Sequence, residues 1–274
     1  MTPESISHGA LKTEEEHRGD ICAVGRWIHE RGYVASTDGN ISVRLGPDRI
    51  LITPTAISKG MMTPGDLIVV NAEGHRVSGL RKPSSEMAMH LLIYNLRPDV
   101  NAVCHAHPTT ATGYAAAGIA LDKPILCELV IGLGSVPVAR YGTPGTSELT
   151  AAMEPLVQGH DAILMANHGV VTYGPDLLTA FLRMETTEHF ARVALVTELL
   201  GKQVLLSGGD VEKLIAARAR YAAGAHNVEQ QSPATSQETM MVGSATERVT
   251  LSRRELETLI DEAIRRDRAV RQAN

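Results

Sequence analysis

The chain has 274 residues, a formal net charge of −5 at pH 7 and 43% hydrophobic residues, which suits one large domain with an appendage. It has neither the basic runs typical of nucleic-acid binding nor an apolar run of about 18 residues that would span a bilayer. The acidic N-terminus does not read as a signal peptide, and Cys22, Cys104 and Cys127 are expected to be buried free thiols, so we expect a cytoplasmic protein.

The first third of the chain predicts a helix followed by strands. Apolar residues recur with helical spacing at Ile21, Val24 and Ile28, which predicts an amphipathic helix from Glu14 to about Arg31. Three short β-branched runs then follow, separated by turn residues: NISVRL, RILIT and DLIVVN. They predict a meander, which is the start of a sheet.

The middle of the chain mixes helices and strands. SSEMAMHLLIYNLR has helical periodicity and begins with Ser84 and Ser85, which we expect to cap its first turn. VNAVCHAH predicts a strand, DAILMAN and GVVTYG predict a strand pair around His168, and a long helix is expected from about Asp176 to Leu200. This interleaving predicts an α/β fold with a three-layer α/β/α arrangement around a mostly antiparallel central sheet.

The composition changes after residue 224. Residues 1–224 are interpreted as the main domain, and the stretch 225–250, rich in Ser, Thr, Gln and Glu, as a polar linker. Residues 251–274 predict an amphipathic helix with a capping box formed by Ser252 and Glu255.

Three histidines form a candidate metal site. His105 and His107 are two apart in a predicted strand, so both rings leave the same face and can meet one ion. His168 lies between two strands and precedes Gly169, where a tight turn can aim its ring at the pair. A lone histidine in such a strand is more often a core residue, so the prediction of a metal site depends on the three histidines together.

Glu86 follows Ser84 and Ser85 in the predicted first turn of its helix. One interpretation is a carboxylate that stabilises the helix start by about 0.3–1 kcal/mol. The other is a catalytic base beside a metal and a phosphate pocket, because helix starts also bind anions.

Six motifs in one order connect the chain to a known family: DGNISVR, ITPTAIS, KPSSEMAMH, NAVCHAHPT, PVARYGTPGTSEL and ILMANHGVV. With them the chain resembles class II sugar-phosphate aldolases of the fuculose-phosphate aldolase type, in the aldolase/adducin superfamily. The resemblance covers roughly residues 14–224.

The resemblance implies a metal-dependent lyase that is typically a homotetramer. It implies that His105, His107 and His168 bind the ion with Glu86, which becomes the acid/base when substrate displaces it. Zn²⁺ suits this donor set first, with Mn²⁺, Co²⁺ or Fe²⁺ as alternatives. The implied substrate is a small ketose 1-phosphate, which is cleaved to dihydroxyacetone phosphate and an aldehyde through a metal-stabilised enediolate.

The resemblance also implies a phosphate pocket formed by residues that offer short side chains and backbone N–H groups: Gly39, Asn40, Thr55, Ala56, Ser84 and Ser85. Glycine is usual at the position of Ala56. The added methyl group is expected to crowd the approach of the backbone to the phosphate, but alanine is small enough for the phosphate still to bind.

The general acid departs from the family pattern. Related aldolases use a tyrosine from a neighbouring subunit, whereas PILCELVIG has Glu128 in that place. Glu128 is either a proton donor with a pKa raised by burial or a structural acid, and the structural interpretation is favoured. Tyr221 is a second candidate proton donor, with a packing role as its alternative.

Two other functions compete with the aldolase. One is a metal-dependent decarboxylase or epimerase that uses the same site, and the other is a binding module like the adducin heads, which lack the histidines. The C-terminal helix is similar to peptides that carry enzymes into bacterial microcompartments, so shell proteins are candidate partners through 251–274. Its alternative is a helix that packs on its own oligomer.

Overall fold

The computed structural model describes residues 12–227, with only the backbone described for 218–227. The first half of this range contains α1 (Glu14–Glu30), β1 (Asn40–Gly46), β2 (Arg49–Ile52), β3 (Ile68–Val70), β4 (Arg76–Ser78), α2 (Met87–Leu96) and β5 (Ala102–Ala106). The second half contains α3 (Thr109–Ala117), α4 (Cys127–Gly132), β6 (Val138–Ala139), α5 (Ser147–Val157), β7 (Ala162–Met165), β8 (Gly169–Gly174), α6 (Leu177–Leu199) and α7 (Gly208–Asn227).

The eight strands form one sheet in the order β4-β3-β2-β1-β5-β8-β7-β6. Every pairing is antiparallel except that of β6 with β7. One apolar core joins the sheet to α1, α3, α4 and α6, and a second joins its other face to α2 and α5. The predicted three-layer α/β/α fold is therefore confirmed.

The predicted start of α2 was wrong. The helix begins at Met87 with Glu86 as its N-cap residue, and the Glu86 side chain makes no capping hydrogen bond. The Ser84 hydroxyl accepts a hydrogen bond from the Glu86 N–H at 3.2 Å, so Ser84 contacts the start of the helix from outside it. The segment before the helix is bound to the residues that follow β2. The Ser84 N–H donates to the Thr53 carbonyl oxygen at 3.2 Å, and Pro83 pairs with Pro54. Ser84 and Ser85 therefore belong to a loop bound to the end of β2.

One further expectation needs correction. Cys22 and Cys104 are buried, but Cys127 at the start of α4 is exposed. Helix α7 continues to Asn227, three residues into the segment interpreted as linker. The remainder of that segment and the predicted helix at 251–274 lie outside the described residues. Within 12–227, no helix combines the length and the apolar character needed to cross a membrane.

Candidate active site

Three histidines meet at one end of the central strands. His105 lies in β5, His107 follows one residue after β5 ends, and His168 lies in the turn between β7 and β8. Because β5 and β8 are antiparallel and Ala106 pairs with Val170, the end of β5 lies beside the start of β8. The candidate ligand atoms of the three rings all lie within 4.8 Å of one another.

The turn that presents His168 depends on two residues with special backbone requirements. Asn167 has a φ of +57°, a left-handed conformation that asparagine tolerates, and the His168 N–H donates to the Met165 carbonyl oxygen at 3.0 Å. Gly169 serves a different need, since a Cβ there would lie 2.4 Å from the Cδ2 of His107. Gly169 therefore lets the strand pass beneath the His107 ring.

Glu86 faces the histidines from the N-terminus of α2. Its Oε2 lies 3.3 Å from His105 Nε2 and accepts a hydrogen bond from the Asn40 side-chain amide at 2.8 Å. Its Oε1 lies 3.2 Å from His168 Nε2. The carboxylate thus lies between two of the rings, with its own side chain almost completely buried.

Contacts on the far side of two rings, those of His105 and His107, involve Nδ1, and their Nε2 atoms lie close together. His105 Nδ1 lies 2.8 Å from the Val170 carbonyl oxygen, so it must donate, and the neutral ring then has a free lone pair on Nε2. His107 Nδ1 lies 3.5 Å from Asp38 Oδ2, and His107 Nε2 lies 3.1 Å from His105 Nε2. Such outer contacts orient metal-ligating imidazoles in proteins.

Burial and the neighbouring groups shift the pKa values of Glu86 and His107. Burial raises the pKa of Glu86, but the adjacent His105 and His168 outweigh this effect and hold its pKa well below the usual range. Burial, together with the neighbouring His105 and His168, lowers the pKa of His107 to about 3. A neutral imidazole and an ionised carboxylate are the forms that bind metal ions.

The residues fit a divalent cation. The distance of 3.1 Å between the Nε2 atoms of His105 and His107 and that of 3.2 Å between Glu86 Oε1 and His168 Nε2 are close to the edges, about 3.4 Å, of a tetrahedron with 2.0–2.1 Å metal–nitrogen bonds. Glu86 Oε1 and His168 Nδ1 are buried and have no hydrogen-bond partner among the described residues. A cation bound by Glu86 would satisfy the first of these atoms.

The six candidate phosphate residues lie on three neighbouring loops. The Thr55 N–H donates to the Lys82 carbonyl oxygen at 3.1 Å, which places Thr55 and Ala56 beside Ser84 and Ser85. Within the described chain, the Ala56 N–H makes no hydrogen bond, and the same is true of the N–H and hydroxyl of Ser85. These donors are available to an anion.

Gly39 and Asn40 lie on the third loop, directly before and at the start of β1. Gly39 has a φ of +74°, and a Cβ there would lie 2.8 Å from the His105 carbonyl oxygen. The Asn40 side chain is directed at Glu86 and His90, so its placement differs from the predicted phosphate contact. Ala56 has a φ of +57°, which explains why glycine suits its position, at a cost of roughly 1–2 kcal/mol for alanine.

Sequence reasoning missed Lys59, which is 1% exposed. Its Nζ donates to the Thr37 carbonyl oxygen at 2.9 Å and to the Ile57 carbonyl oxygen at 2.7 Å. Burial lowers the pKa of Lys59 to about 8. Lys59 therefore connects the loop before β1 to the loop after β2, and its neighbours Ser58 and Gly60 give no sign of this burial in the sequence.

The two candidate proton donors belong to helices α4 and α7. Glu128 is exposed in the first turn of α4, where its own backbone N–H and then the Cys127 thiol lower its pKa. The condition for an acid role, a pKa raised by burial, is not met within this chain. Tyr221 lies in α7, in the part for which only the backbone is described.

Comparison with known proteins decides the family. Residues 19–195 match the family described as Class II Aldolase and Adducin N-terminal domain. The chain belongs to this family. It is an enzyme of the aldolase-type lyases, and the fuculose-phosphate aldolase resemblance is confirmed.

Relatives in the family have more than one activity. A 5-deoxy-D-ribulose 1-phosphate aldolase of Bacillus thuringiensis serovar kurstaki is 33% identical over 203 residues, which are 73% of this chain and 94% of that protein. A 3-oxo-tetronate 4-phosphate decarboxylase of Haemophilus influenzae is 35% identical over 175 residues, 62% of this chain and 82% of that protein.

Among solved structures, an L-fuculose 1-phosphate aldolase superposes with a TM-score of 0.70 at 31% identity, covering 76% of this chain and 98% of that one. The class II aldolases of the family are metal-dependent, and this chain has a histidine cluster suited to a metal ion.

Proposed function

We propose that this protein cleaves a ketose 1-phosphate of the fuculose 1-phosphate type into dihydroxyacetone phosphate and a small aldehyde. The observation that supports the proposal is the placement of Glu86 within 3.3 Å of two imidazoles, beside loops that offer free N–H donors. The similarity to aldolases that act on ketose 1-phosphates supports the same substrate class.

In this reaction each group of the site has a separate task. His105, His107 and His168 would hold a divalent cation, zinc first, which would supply Lewis-acid stabilisation of the negative charge that develops when the carbon–carbon bond breaks. Glu86, the proposed catalytic residue, moves the proton at the reacting carbon. The hydrogen-bond donors of Ala56 and Ser85 bind the phosphate dianion and thereby position the substrate relative to Glu86.

The acid that protonates the aldehyde oxygen stays a prediction. Glu128 and Tyr221 are the two candidates, and substitution separates them. If either donates this proton, Glu128→Gln or Tyr221→Phe lowers kcat while leaving metal content and phosphate binding unchanged. An unchanged kcat in a variant excludes that residue from the role.

A decarboxylase is the second candidate, because a relative with that name is 35% identical. Both reactions leave negative charge on the substrate carbon next to a carbonyl group, so the same cation and the same Glu86 serve either one. The substrates differ in the bond that breaks, and hence in whether an aldehyde or CO₂ leaves. An epimerase would release neither.

A panel assay tests the proposal. The purified protein, reconstituted with Zn²⁺, is incubated separately with fuculose 1-phosphate, 5-deoxyribulose 1-phosphate and 3-oxo-tetronate 4-phosphate, with aldehyde and CO₂ measured in each. We expect aldehyde from a ketose 1-phosphate and none from the matching unphosphorylated ketose. CO₂ release without aldehyde would establish the decarboxylase instead. Zn²⁺, Mn²⁺, Co²⁺ and Fe²⁺ are compared in the same assay.

A further inference from the structure

A row of buried polar side chains runs from Glu86 into the space between the sheet and α2. The Asn40 side-chain Nδ2 lies 2.8 Å from Glu86 Oε2, and Asn40 Oδ1 lies 2.5 Å from His90 Nε2. His90 Nδ1 lies 2.7 Å from the Ser42 hydroxyl, which lies 2.8 Å from the Tyr94 hydroxyl. These contacts form one continuous hydrogen-bond chain.

The residues of this hydrogen-bond chain come from two elements, β1 and the segment of α2, and recur at the spacing of each element. Asn40 and Ser42 are two residues apart in β1 and leave the same face of the sheet. Glu86, His90 and Tyr94 are four residues apart and lie on one face of α2. None of Asn40, Ser42, His90 and Tyr94 is more than 3% exposed, so water does not compete for these hydrogen bonds.

The direction of every hydrogen bond follows from the carboxylate at one end. An ionised carboxylate only accepts, so the Asn40 amide must point its N–H groups at Glu86 and its oxygen at His90. His90 must then donate from Nε2, which leaves Nδ1 of the neutral ring as an acceptor. Ser42 therefore donates to His90, and Tyr94 donates to Ser42. A single proton arrangement satisfies all five groups.

The two oxygens of Glu86 are consequently in different environments. Oε2 accepts the hydrogen bond from Asn40, whereas Oε1 has no hydrogen-bond partner among the described residues and lies 3.2 Å from His168 Nε2. The Asn40 amide cannot rotate to present its oxygen to Glu86, because the rotation would break its hydrogen bond with His90.

We propose that Asn40, His90 and Ser42 are positioning residues that hold Oε2 of Glu86 and leave Oε1 as the oxygen that binds the cation and exchanges the proton. The inference rests on the proposed role of Glu86, and its tests need no sugar. If the proposed substrate is wrong, the positioning role of these residues is unaffected. If the positioning role is wrong, the proposed substrate is unaffected.

The first test is the Zn²⁺ affinity of the metal-free protein, measured by competition with a chromogenic chelator for His90→Leu and His90→Gln. Glutamine keeps a hydrogen-bond donor at the position of His90 Nε2, whereas leucine keeps the side-chain volume without a donor. We expect His90→Leu to weaken zinc binding roughly 10–100-fold, the effect common for outer-shell partners, and His90→Gln to restore most of it. Wild-type affinity in a folded His90→Leu overturns the proposal, as does equal weakening in both variants.

The second test concerns Ser42, the next residue in the hydrogen-bond chain after His90, and has a matched control. Ser42→Ala removes the donor to His90, whereas Thr172→Val removes another buried hydroxyl of the same sheet, one that donates to the Ala180 carbonyl oxygen at 2.7 Å. We expect both to lower thermal stability and only Ser42→Ala to weaken zinc binding. Equal zinc affinities in the two variants would show that the chain merely stabilises the fold.

The third test needs only the wild-type protein and decides the matter if variants fail to fold. Nitrogen-15 NMR of the imidazoles distinguishes the two neutral tautomers, and through-bond correlation from the assigned His90 backbone to its ring identifies the His90 signals. We expect His90 to be neutral at pH 7 with its proton on Nε2, with and without Zn²⁺. A proton on Nδ1 reverses the chain and rules out the proposed assignment of the two oxygens.

Discussion

At Gly169 the backbone of β8 passes under the His107 ring with no room for a side chain. A Cβ would lie 2.4 Å from His107 Cδ2 and 2.8 Å from the Ala106 carbonyl oxygen. We expect Gly169→Ala to displace the ring by a fraction of an ångström to an ångström, weaken zinc binding and lower kcat roughly 10²-fold. Gly159→Ala, where nothing lies within 4 Å, is the control, and similar kinetics in both variants would contradict the prediction.

The buried His90 makes stability depend on pH. Burial lowers the pKa of His90 from 6.5 to about 3. Below pH 6.5 the unfolded chain binds a proton that the folded chain refuses, so the free energy of unfolding falls with acid until about pH 3. We expect His90 to contribute a slope approaching 1.4 kcal/mol per pH unit, about the value for one proton. Urea unfolding of metal-free wild type and His90→Gln between pH 7 and 5 measures it, and parallel curves would disprove it.

Helix α3 shows how a distant residue completes a local element. The Ala111 N–H donates to the Glu188 carboxylate at 2.8 Å and the Thr110 N–H at 3.1 Å, although Glu188 belongs to α6. Since α3 starts two residues after His107, this contact also anchors the loop that carries the ring. We expect Glu188→Ala to destabilise the protein by about 1–3 kcal/mol.

Chemical unfolding measures this loss, and Glu185→Ala provides the control. Glu185 is an acid of the same helix that pairs with Arg31 at the surface, where an ion pair contributes about 0–1 kcal/mol. Equal losses in the two variants would show that Glu188 does not cap α3.

The loops around the proposed phosphate pocket depend on Lys59. Its ammonium group joins the carbonyl oxygens of Thr37 and Ile57, and thereby the loop before β1 and the loop after β2. We expect Lys59→Met to raise the KM for a phosphorylated substrate more than tenfold and to reduce the protection by inorganic phosphate against thermal unfolding. A KM unchanged in a folded variant would show that the loops keep their positions without it.

Local sequence patterns predicted the elements that are stabilised locally. Helix α1 has its own capping box of Thr13 and Glu16, and α6 has Asp176 as N-cap, so both were found close to their true ends. Helix α3 was missed because its cap lies in α6. The direction of the Asn40 side chain depends on how β1 packs on α2, which no local pattern contains.

An exposed apolar surface among the described residues points to self-association. Large apolar side chains at the end of α6 and just after it are more than half exposed: Val196, Leu199, Leu200, Val204 and Leu205. Such patches mark interfaces in soluble proteins. We therefore propose the homotetramer typical of the family, and expect light scattering to give four times the chain mass and Leu199→Asp to lower it. A wild-type monomer would refute this.

Microcompartment targeting by residues 251–274 stays a separate prediction. Deletion from Ser232 onward tests it, and we expect such a variant to keep its lyase activity and lose co-assembly with shell proteins. Loss of activity with unchanged co-assembly would favour a helix that packs on its own oligomer.

Strand β5 lies between β1 and β8 in the middle of the sheet, so the segments bearing His105, His107 and His168 come together only in the completed fold. An ion that binds only the native state adds RT ln(1 + [L]/Kd) to its stability, about 2.7 kcal/mol when free metal is 100 times Kd. We therefore expect metal supply to govern the abundance of the protein as well as its turnover, because proteases act on the larger unfolded fraction that remains when no ion is bound.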